Sequence, residues 1–394
     1  MGIYSPSGAQ TLTVQGNWGT VALIDGIADE WRRLCQEGPC DQPFFRPEWI
    51  AAVINAFAPK QRLLLITVRE GSCLRAVLPL LEGKKSVFGI RFTSFCGAAN
   101  VEYSCRFDLI HGRSGDVAEI GRAVWNYLRE SRAWDAVELP IVPSGGAAER
   151  FLMIAREEGF LTLQHEVTRS PYLPLNHSRN AADFSSFGRD ARFRKNLRRR
   201  RRNLEADGRL TLRRAQKADT DTLQQLYHIE QSGWKGKKGT AILDSNETRQ
   251  FYDSVAKSAE RFGYLSLYFL EQGSSTIAAQ FGLTYRGKHY AVKSGYDEKY
   301  EEYGPGHLIT GMTLRDCVQR GICEYDFLGQ QEGWKMEWAS EVRPHASCHI
   351  FRKSLLGHLL KAATQGRYKL WMARRKAGAL IFAFRCYLAR QRNG

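Results

Sequence analysis

Apolar positions recur along the chain with two alternating periods, and that alternation is the main guide to its architecture. The segment RPEWIAAVINAFAP (46–59) puts Trp49, Val53 and Phe57 one helical turn apart, which predicts a helix with one apolar face. RLLLITV (62–68) and CLRAVLPLL (73–81) are dense in branched aliphatics and separated by Glu-Gly-Ser, the pattern of two strands joined by a turn. SVFGIRFTSF (86–95) reads as a third strand. Helical spacing returns at 117–131 through Val117, Ile120, Val124 and Leu128. A strand follows at WDAVELPIV (134–142), ended by Pro143 and Gly145-Gly146. Then come a helix stopped by Gly159 and the strand FLTLQHEV.

The second half repeats this order. Residues 220–231 and 246–262 read as helices. YLSLYFLE (264–271), TIAAQFGLTY (276–285) and KHYAVKSGY (288–296) read as strands. A glycine-bearing loop, a helix over 307–320 and the strand ICEYDFLG (322–329) complete it. Each half is thus helix, antiparallel strands, helix, strand, without close repetition of sequence. The expected fold is α/β (α+β), with two tandem lobes, each a mixed sheet flanked by helices. The expected division is 1–175, 176–350 and a basic helical tail, 351–394; the length of 394 residues favours more than one core.

Composition narrows the class. Apolar content of 43% and charged content of 25% are those of a globular chain. The longest apolar run of the tail, Ala377–Phe384, falls short of the roughly 18 residues a membrane span needs. The start, MGIYSPSGAQ, lacks the charged and apolar regions of a signal peptide. Pro6 stands where a myristoylation motif at Gly2 needs Ser or Thr. The nine cysteines include the near pairs Cys35/Cys40 and Cys317/Cys323, neither at zinc or CxxC spacing. Reduced cytoplasmic thiols and no metal are expected.

The net charge of +16 is concentrated in two places. From Val342 to Gly394 there are twelve Lys and Arg and no Asp or Glu. Between 192 and 202, eight of eleven residues are basic, around an apolar stripe of Phe193, Leu197 and Leu204. Such segments call for an anionic partner: phosphorylated substrate, anionic lipid or RNA. The Arg-rich segment lacks interleaved aromatics, which argues against base stacking; DNA is not expected. The tail carries the stripe Leu355, Leu356, Leu359 and Leu360, then Trp371, Leu380, Ile381, Phe382 and Phe384. It reads either as an amphipathic interfacial element over 352–394 or as a helix docked on the body with a solvated basic face.

A set of short motifs resembles the GNAT acyltransferase superfamily, and within it the two-lobed FemAB-like and CelD-like proteins. They are Phe193-Arg194-Lys195-Asn196-Leu197-Arg198-Arg199, Gly233-Trp234-Lys235-Gly236, Gly295-Tyr296-Asp297 with Tyr300, Gly304-Pro305-Gly306, Tyr325-Asp326-Phe327-Leu328-Gly329, and Lys335 with Trp338. Their order spans roughly 185–340. Pro47-Glu48-Trp49, Leu78-Pro79-Leu80 and Asp108-Leu109-Ile110 give a weaker match in the first half. The resemblance implies two GNAT-like lobes, a cleft at or beside their junction, and acyl-CoA as donor. The GNAT phosphate motif begins with Gln or Arg, but here Glu301-Glu302-Tyr303 precede Gly304-Pro305-Gly306. Backbone N–H groups at a helix N-terminus suit a diphosphate; Pro305 removes one of them. A plain glycine turn is the alternative.

GNAT chemistry needs a carbonyl-polarising N–H, a base for the amine and an acid for the leaving thiolate. The strand before the glycine loop offers Ala291, Val292 and Lys293 for the first. Glu230, with His228 as a weaker alternative, is the candidate base, and Tyr303 the candidate acid. Each has a bland alternative, an exposed helical Glu and a packing Tyr. His289 reads as a strand histidine facing its neighbours. Asp326, flanked by Tyr325 and Phe327, needs a partner if buried; Lys335 is the candidate for that role or for the donor itself. Gly304, Gly306, His307, Arg194 and Arg198 are expected at the donor phosphates. Trp234, Lys235, Tyr296 and Trp338 are expected at the acceptor.

The expected activity is N-acyl transfer from acyl-CoA to a primary amine. The acceptor would be a lipid precursor such as a long-chain sphingoid base, or an envelope glycan, reached by a cytoplasmic protein touching the inner membrane surface. A FemAB-like transferase using aminoacyl-tRNA in cell-wall synthesis is the second expectation. A non-catalytic component of exopolysaccharide synthesis is the third, for which Asp326→Ala and Lys335→Ala would leave function intact.

Overall fold

The computed structural model describes residues 12–38, 41–112, 117–175 and 183–392, without the side chains of 234 and 375–392. Gly2, Pro6, Cys40, most of the 111–116 loop and the Trp234 side chain lie outside the described residues. The first lobe contains β1 (Leu12–Gly19), α1 (Ala28–Glu37), α2 (Pro47–Phe57), β2 (Leu63–Glu70), β3 (Cys73–Val87), β4 (Ile90–Gly97), the short β5 (Ile110–His111), α3 (Val117–Glu130), β6 (Ala136–Pro143), α4 (Ala147–Glu157) and β7 (Leu161–Pro174). The second contains α5 (Ala191–Glu205), β8 (Leu210–Ala215), α6 (Thr220–Gln231), α7 (Asn246–Arg261), β9 (Leu265–Gln272), β10 (Ser275–Tyr285), β11 (Lys288–Tyr296), α8 (Pro305–Gln319), β12 (Glu324–Asp326) and β13 (Glu341–Phe351). The long helix α9 (Leu355–Arg392) ends the chain.

All thirteen strands form one mixed sheet, in the order β1-β2-β3-β4-β6-β13-β7-β12-β11-β10-β9-β8, with β5 beside β3. Its parallel pairs are β4 with β6 and β11 with β12, each bridged by a crossover helix, α3 or α8. Parallel neighbours need such a crossover, whereas hairpins serve the antiparallel ones. At the centre the halves exchange strands. β13 of the second half pairs with β6 of the first, and β7 of the first pairs with β12 of the second. The lobes also share a core: α2 packs on α7, with Trp49 perpendicular to Phe251 at 5.3 Å between ring centres. Such a pair contributes about 0.5–1.5 kcal/mol beyond its buried area.

Two expectations change. SVFGIRFTSF is not one strand: β3 continues to Val87, and the chain reverses at Phe88 (φ 50°) and Gly89 (φ 80°) into β4. Two successive left-handed residues are what a two-residue hairpin requires. The first is a phenylalanine, which by composition signals strand. The tail meets the body over its first turns. Leu356 and Leu360 pack with Phe92, Ala136 and Phe351, and the Tyr368 ring lies 4.2 Å from His165 of β7.

Candidate active site

The second lobe contains a wedge where two parallel strands part. β11 and β12 pair at Lys288/Glu324, His289/Tyr325 and Tyr290/Asp326 only. β12 then ends, and Leu328 (φ 54°) and Gly329 (φ 61°) turn the chain away, so the strand expected over 322–329 is cut short. β11 runs on to Tyr296 with β10 on one side and, among the described residues, no strand on the other. Val292 bulges out of register between Ala291 and Lys293, opposite Gly282 and Phe281. A bulge re-aims backbone groups locally. Ala291, Val292 and Lys293 therefore stand where a carbonyl oxygen can enter against an unpaired strand edge.

The N-terminus of α8 stands beside this wedge. Gly304 caps the helix in the left-handed conformation, φ 60° and ψ 56°, which a side chain would strain. A Cβ there would also collide with the guanidinium of Arg200. Arg200 Nε is buried and finds no hydrogen-bond partner among the described residues. A guanidinium and a helix N-terminus thus converge on one spot, an arrangement suited to a diphosphate. Burial, helped by Arg200, holds His307 down at about 4, so its ring is neutral. His307 Nδ1 accepts from Trp338 Nε1 at 3.2 Å, and Trp338 packs edge-on against Phe193. A Cβ on Gly306 would sit 3.5 Å from the Tyr296 ring. Glu301 and Glu302 are exposed.

These contacts revise three assignments. Arg194 donates to Gly188 O at 2.9 Å, and Arg198 to Asp183 and Ser185, so both arginines are engaged away from Gly304. The arginine that stands against Gly304 is Arg200. Trp338 is only 2% exposed and braces the first turn of α8 from within the core, not an acceptor wall. The signal for Arg200 was present in the sequence. It occupies the i+7 position of the Phe193, Leu197, Leu204 stripe, facing inward among arginines that mostly face out.

On the other side of β11 lies a buried charge cluster. Glu230, at the end of α6, is 2% exposed, not the solvent-facing residue that helix ends usually carry. Its Oε2 accepts from Ile242 N at 2.9 Å, and its Oε1 lies 3.4 Å from both Lys235 Nζ and Lys293 Nζ. α6 approaches this closely because Gly295 has no side chain; a Cβ there would strike the Glu230 backbone. Lys235 Nζ donates to Ser294 O at 2.5 Å. Burial pulls its pKa down to about 8, with Lys293 acting the same way and Glu230 opposing. Lys293 donates to Thr240 O at 3.0 Å. Tyr303 is partly exposed at the loop before α8, its hydroxyl pKa raised chiefly by Glu302. His289 is buried between Thr284 and Gln280 on the strand.

Asp326 is fully buried, and its partners are not the expected one. Arg106 of the first lobe and Arg343 of β13 (3.1 Å) hold its carboxylate, with Leu328 N–H donating at 2.9 Å. Burial raises its pKa, but the two guanidiniums and the backbone N–H outweigh burial and hold it below the usual aspartate range. Lys335 instead donates to Leu328 O at 2.9 Å and Gln330 O at 3.3 Å, and pairs with Glu332 at 3.3 Å. Asp326 thus joins the lobes beneath the wedge, while Lys335 stands at its β12 side. Burial raises the thiols of Cys35, Cys96, Cys105, Cys317 and Cys348, which disfavours a thiolate nucleophile at any of them.

The first lobe has the same parting of strands, between β4 and β6, and also a left-handed residue there, Ile141 (φ 54°). Its gap is filled by the chain itself. Phe107 N–H donates to Ile141 O, and the Phe107 ring presses on Gly97 where a Cβ would not fit. Asp108 caps α4 through Ala147 N and Ala148 N. Among the described residues, the second wedge has the N-terminal glycine with an arginine beside it. Among the described residues no group of three or more His, Cys, Asp or Glu side chains is placed to hold a metal ion.

Residues 191–336 match the family model of an acetyltransferase (GNAT) domain, the segment that holds α5, the wedge and α8. The match places a GNAT acetyltransferase domain in the second lobe and covers less than half of the chain. Among solved structures it is similar to FemX at 10% identity and TM-score 0.58, over 84% of this chain and 98% of that one. It is also similar to a conserved protein of unknown function from Bacteroides thetaiotaomicron (11%, TM-score 0.52, 86% and 100%). A third is the C-terminal domain of an Agrobacterium fabrum protein described as a lysylphosphatidylglycerol synthetase (11%, TM-score 0.51, 88% and 96%). At these identities the likeness is one of fold. No curated protein matches the sequence.

Proposed function

We propose that the protein moves an acyl group from acyl-CoA to a primary amine, on a lipid precursor such as a long-chain base or on an envelope glycan. The observation that carries this reading is the convergence of Gly304, the α8 N-terminus and Arg200 beside an unpaired β11 edge. Arg200 and the first turn of α8 hold the CoA diphosphate. The bulge at Ala291–Lys293 receives the thioester carbonyl and stabilises its developing charge. The Glu230 carboxylate, held 3.4 Å from the Lys235 and Lys293 ammonium groups, takes the amine proton through a water. The N–C bond forms, the C–S bond breaks, and the thiolate takes a proton from Tyr303, whose raised pKa keeps it protonated. Lys335, at the β12 side, is the other group able to serve that step.

Thiol release should be measured with acyl-CoAs of increasing chain length against a panel of sphingoid, aminosugar and simple amines. No thiol release with any pair would sink the proposal. A second reading, aminoacyl-tRNA as donor, draws on the outward face of α5, where Arg192, Lys195, Arg198, Arg199 and Arg202 are exposed. It predicts tRNA binding that falls steeply with salt; indifference to tRNA removes it. No helix among the described residues is long and apolar enough to cross a membrane. A lipid acceptor would be met at a membrane surface, with the basic tail facing anionic headgroups.

A further inference from the structure

The β3–β4 hairpin tip is built against the ordinary chemistry of its turn. The first left-handed position of a two-residue hairpin favours Asn, Asp or Gly. This chain places Phe88 there, at φ 50°, with 82% of its surface exposed, and Ile90, 47% exposed, two residues on. Neither exposure is relieved among the described residues. The start of α9 lies beside the tip: Val87 and Leu356 pack on the same cluster of Phe92, Ala136, Phe351 and Leu360. Leu355, next to Leu356, is 91% exposed. Three large apolar side chains therefore project from one end of the first lobe.

Their surroundings are basic. Lys84, Lys85, Arg91 and Lys353 are exposed around them. Lys84, Lys85 and Arg91 line a shallow recess of about 480 Å³ behind the tip, which also takes in Asp135. Lys84 is paired with Glu82 and Lys85 with Glu138, so part of this charge is offset. No acid lies beyond Glu341, and Arg367, Lys369 and Arg374 on α9 are exposed.

We propose that this end of the first lobe docks on an anionic bilayer. Phe88, Ile90 and Leu355 enter the boundary between headgroups and acyl chains, and the basic rim meets lipid phosphates. Separate apolar points at a hairpin tip and a helix start do not make the continuous patch of about 800 Å² per partner that a stable protein contact buries. Nucleic acid would take up the charge and leave the apolar tips in water. A bilayer takes both. The proposal is independent of the donor, because vesicle binding is read without turnover.

The test is co-sedimentation of the full chain with phosphatidylcholine vesicles and with vesicles that also contain phosphatidylglycerol. Binding is expected only to the latter and should weaken with salt. Phe88→Asn combined with Ile90→Thr should weaken it about tenfold or more without lowering the thermal midpoint, since Asn suits a left-handed turn. Arg91→Gln and Lys353→Gln should each weaken it roughly fivefold. Phe88→Trp should give an indole whose emission shifts to the blue with anionic vesicles and is quenched by brominated acyl chains. Four results would overturn the proposal: equal binding to both vesicle types, full binding by the Asn/Thr variant, an indole emission from the Phe88→Trp variant that anionic vesicles leave unshifted, or self-association in solution that the Asn/Thr variant abolishes.

Discussion

Replacing Arg200 with alanine tests the donor site where its geometry is most specific. The Arg200 guanidinium lies against Gly304 at the α8 N-terminus, with a buried Nε that lacks a partner among the described residues. A hydrogen bond to a charged group contributes about 1.5–3 kcal/mol. Arg200 is only half-buried, so solvent screening places the loss near the lower end, about 1.5 kcal/mol. At about 1.4 kcal/mol per decade, the donor KM should rise roughly tenfold. The diphosphate is distant from the reacting carbon, so its contact is the same in ground and transition states and kcat should hold. Thiol release should be followed with the acyl-CoA that the wild type uses and with the matching acyl-pantetheine, which lacks the diphosphate. Arg200→Ala should penalise the first donor and leave the second unchanged. Equal losses on both donors, or none on acyl-CoA, would refute the assignment. Gly304→Ala should give the same pattern with lower stability, because its φ of 60° costs a side chain about 1 kcal/mol.

Other outcomes are as specific. Asp326→Asn leaves Arg106 buried without its counter-charge, which should cost about 3–5 kcal/mol. For 394 residues that lowers the thermal midpoint by about 4–6 °C, measurable by calorimetry. Because the Asp326 pKa is depressed in the fold, its stabilisation is present above the ordinary aspartate range and is lost as pH falls through the folded value. The variant should lack that acid limb in a denaturant series against pH. Lys235 should lose its proton at about pH 8, read from the pH dependence of its side-chain carbon resonance. Glu230→Gln removes a carboxylate that raises Lys235, so the inflection should move to lower pH; a fixed inflection would uncouple the two groups. Tyr303→Phe should lower kcat by about 10²–10⁴ with little change in KM, and a loss under about threefold would pass the acid role to Lys335.

Local order was legible in the sequence, and long-range partnership was not. Val117, Ile120, Val124 and Leu128 announce α3, and all but the partly buried Val117 are core residues. The element order gave two lobes of mixed sheet, and the glycine loop with its neighbouring motifs gave the superfamily. Phe88 misled because only its backbone, not its type, marks a turn. Lys335 was assigned to Asp326 for its nearness in sequence, while the partner that matters lies 220 residues away. Arg200 was hidden among like residues, and only its phase on the apolar stripe of α5 sets it apart. Glu230 was placed on a helix correctly, but its burial depends on Gly295, on a strand that no helical period can reveal.

The exchange of strands at the middle of the sheet also orders the protein's birth. β13 fills the space between β6 and β7, both made some two hundred residues earlier. Until Phe351 has left the ribosome, the edges of β6 and β7 that face β13 stay open and the first half cannot close its sheet. Late, distant pairing of this kind is slow, and unpaired edges invite wrong pairing. Neither half is therefore expected to be a freely transferable module, and a chain cut before β13 should be a substrate for chaperones and proteases before it is an enzyme.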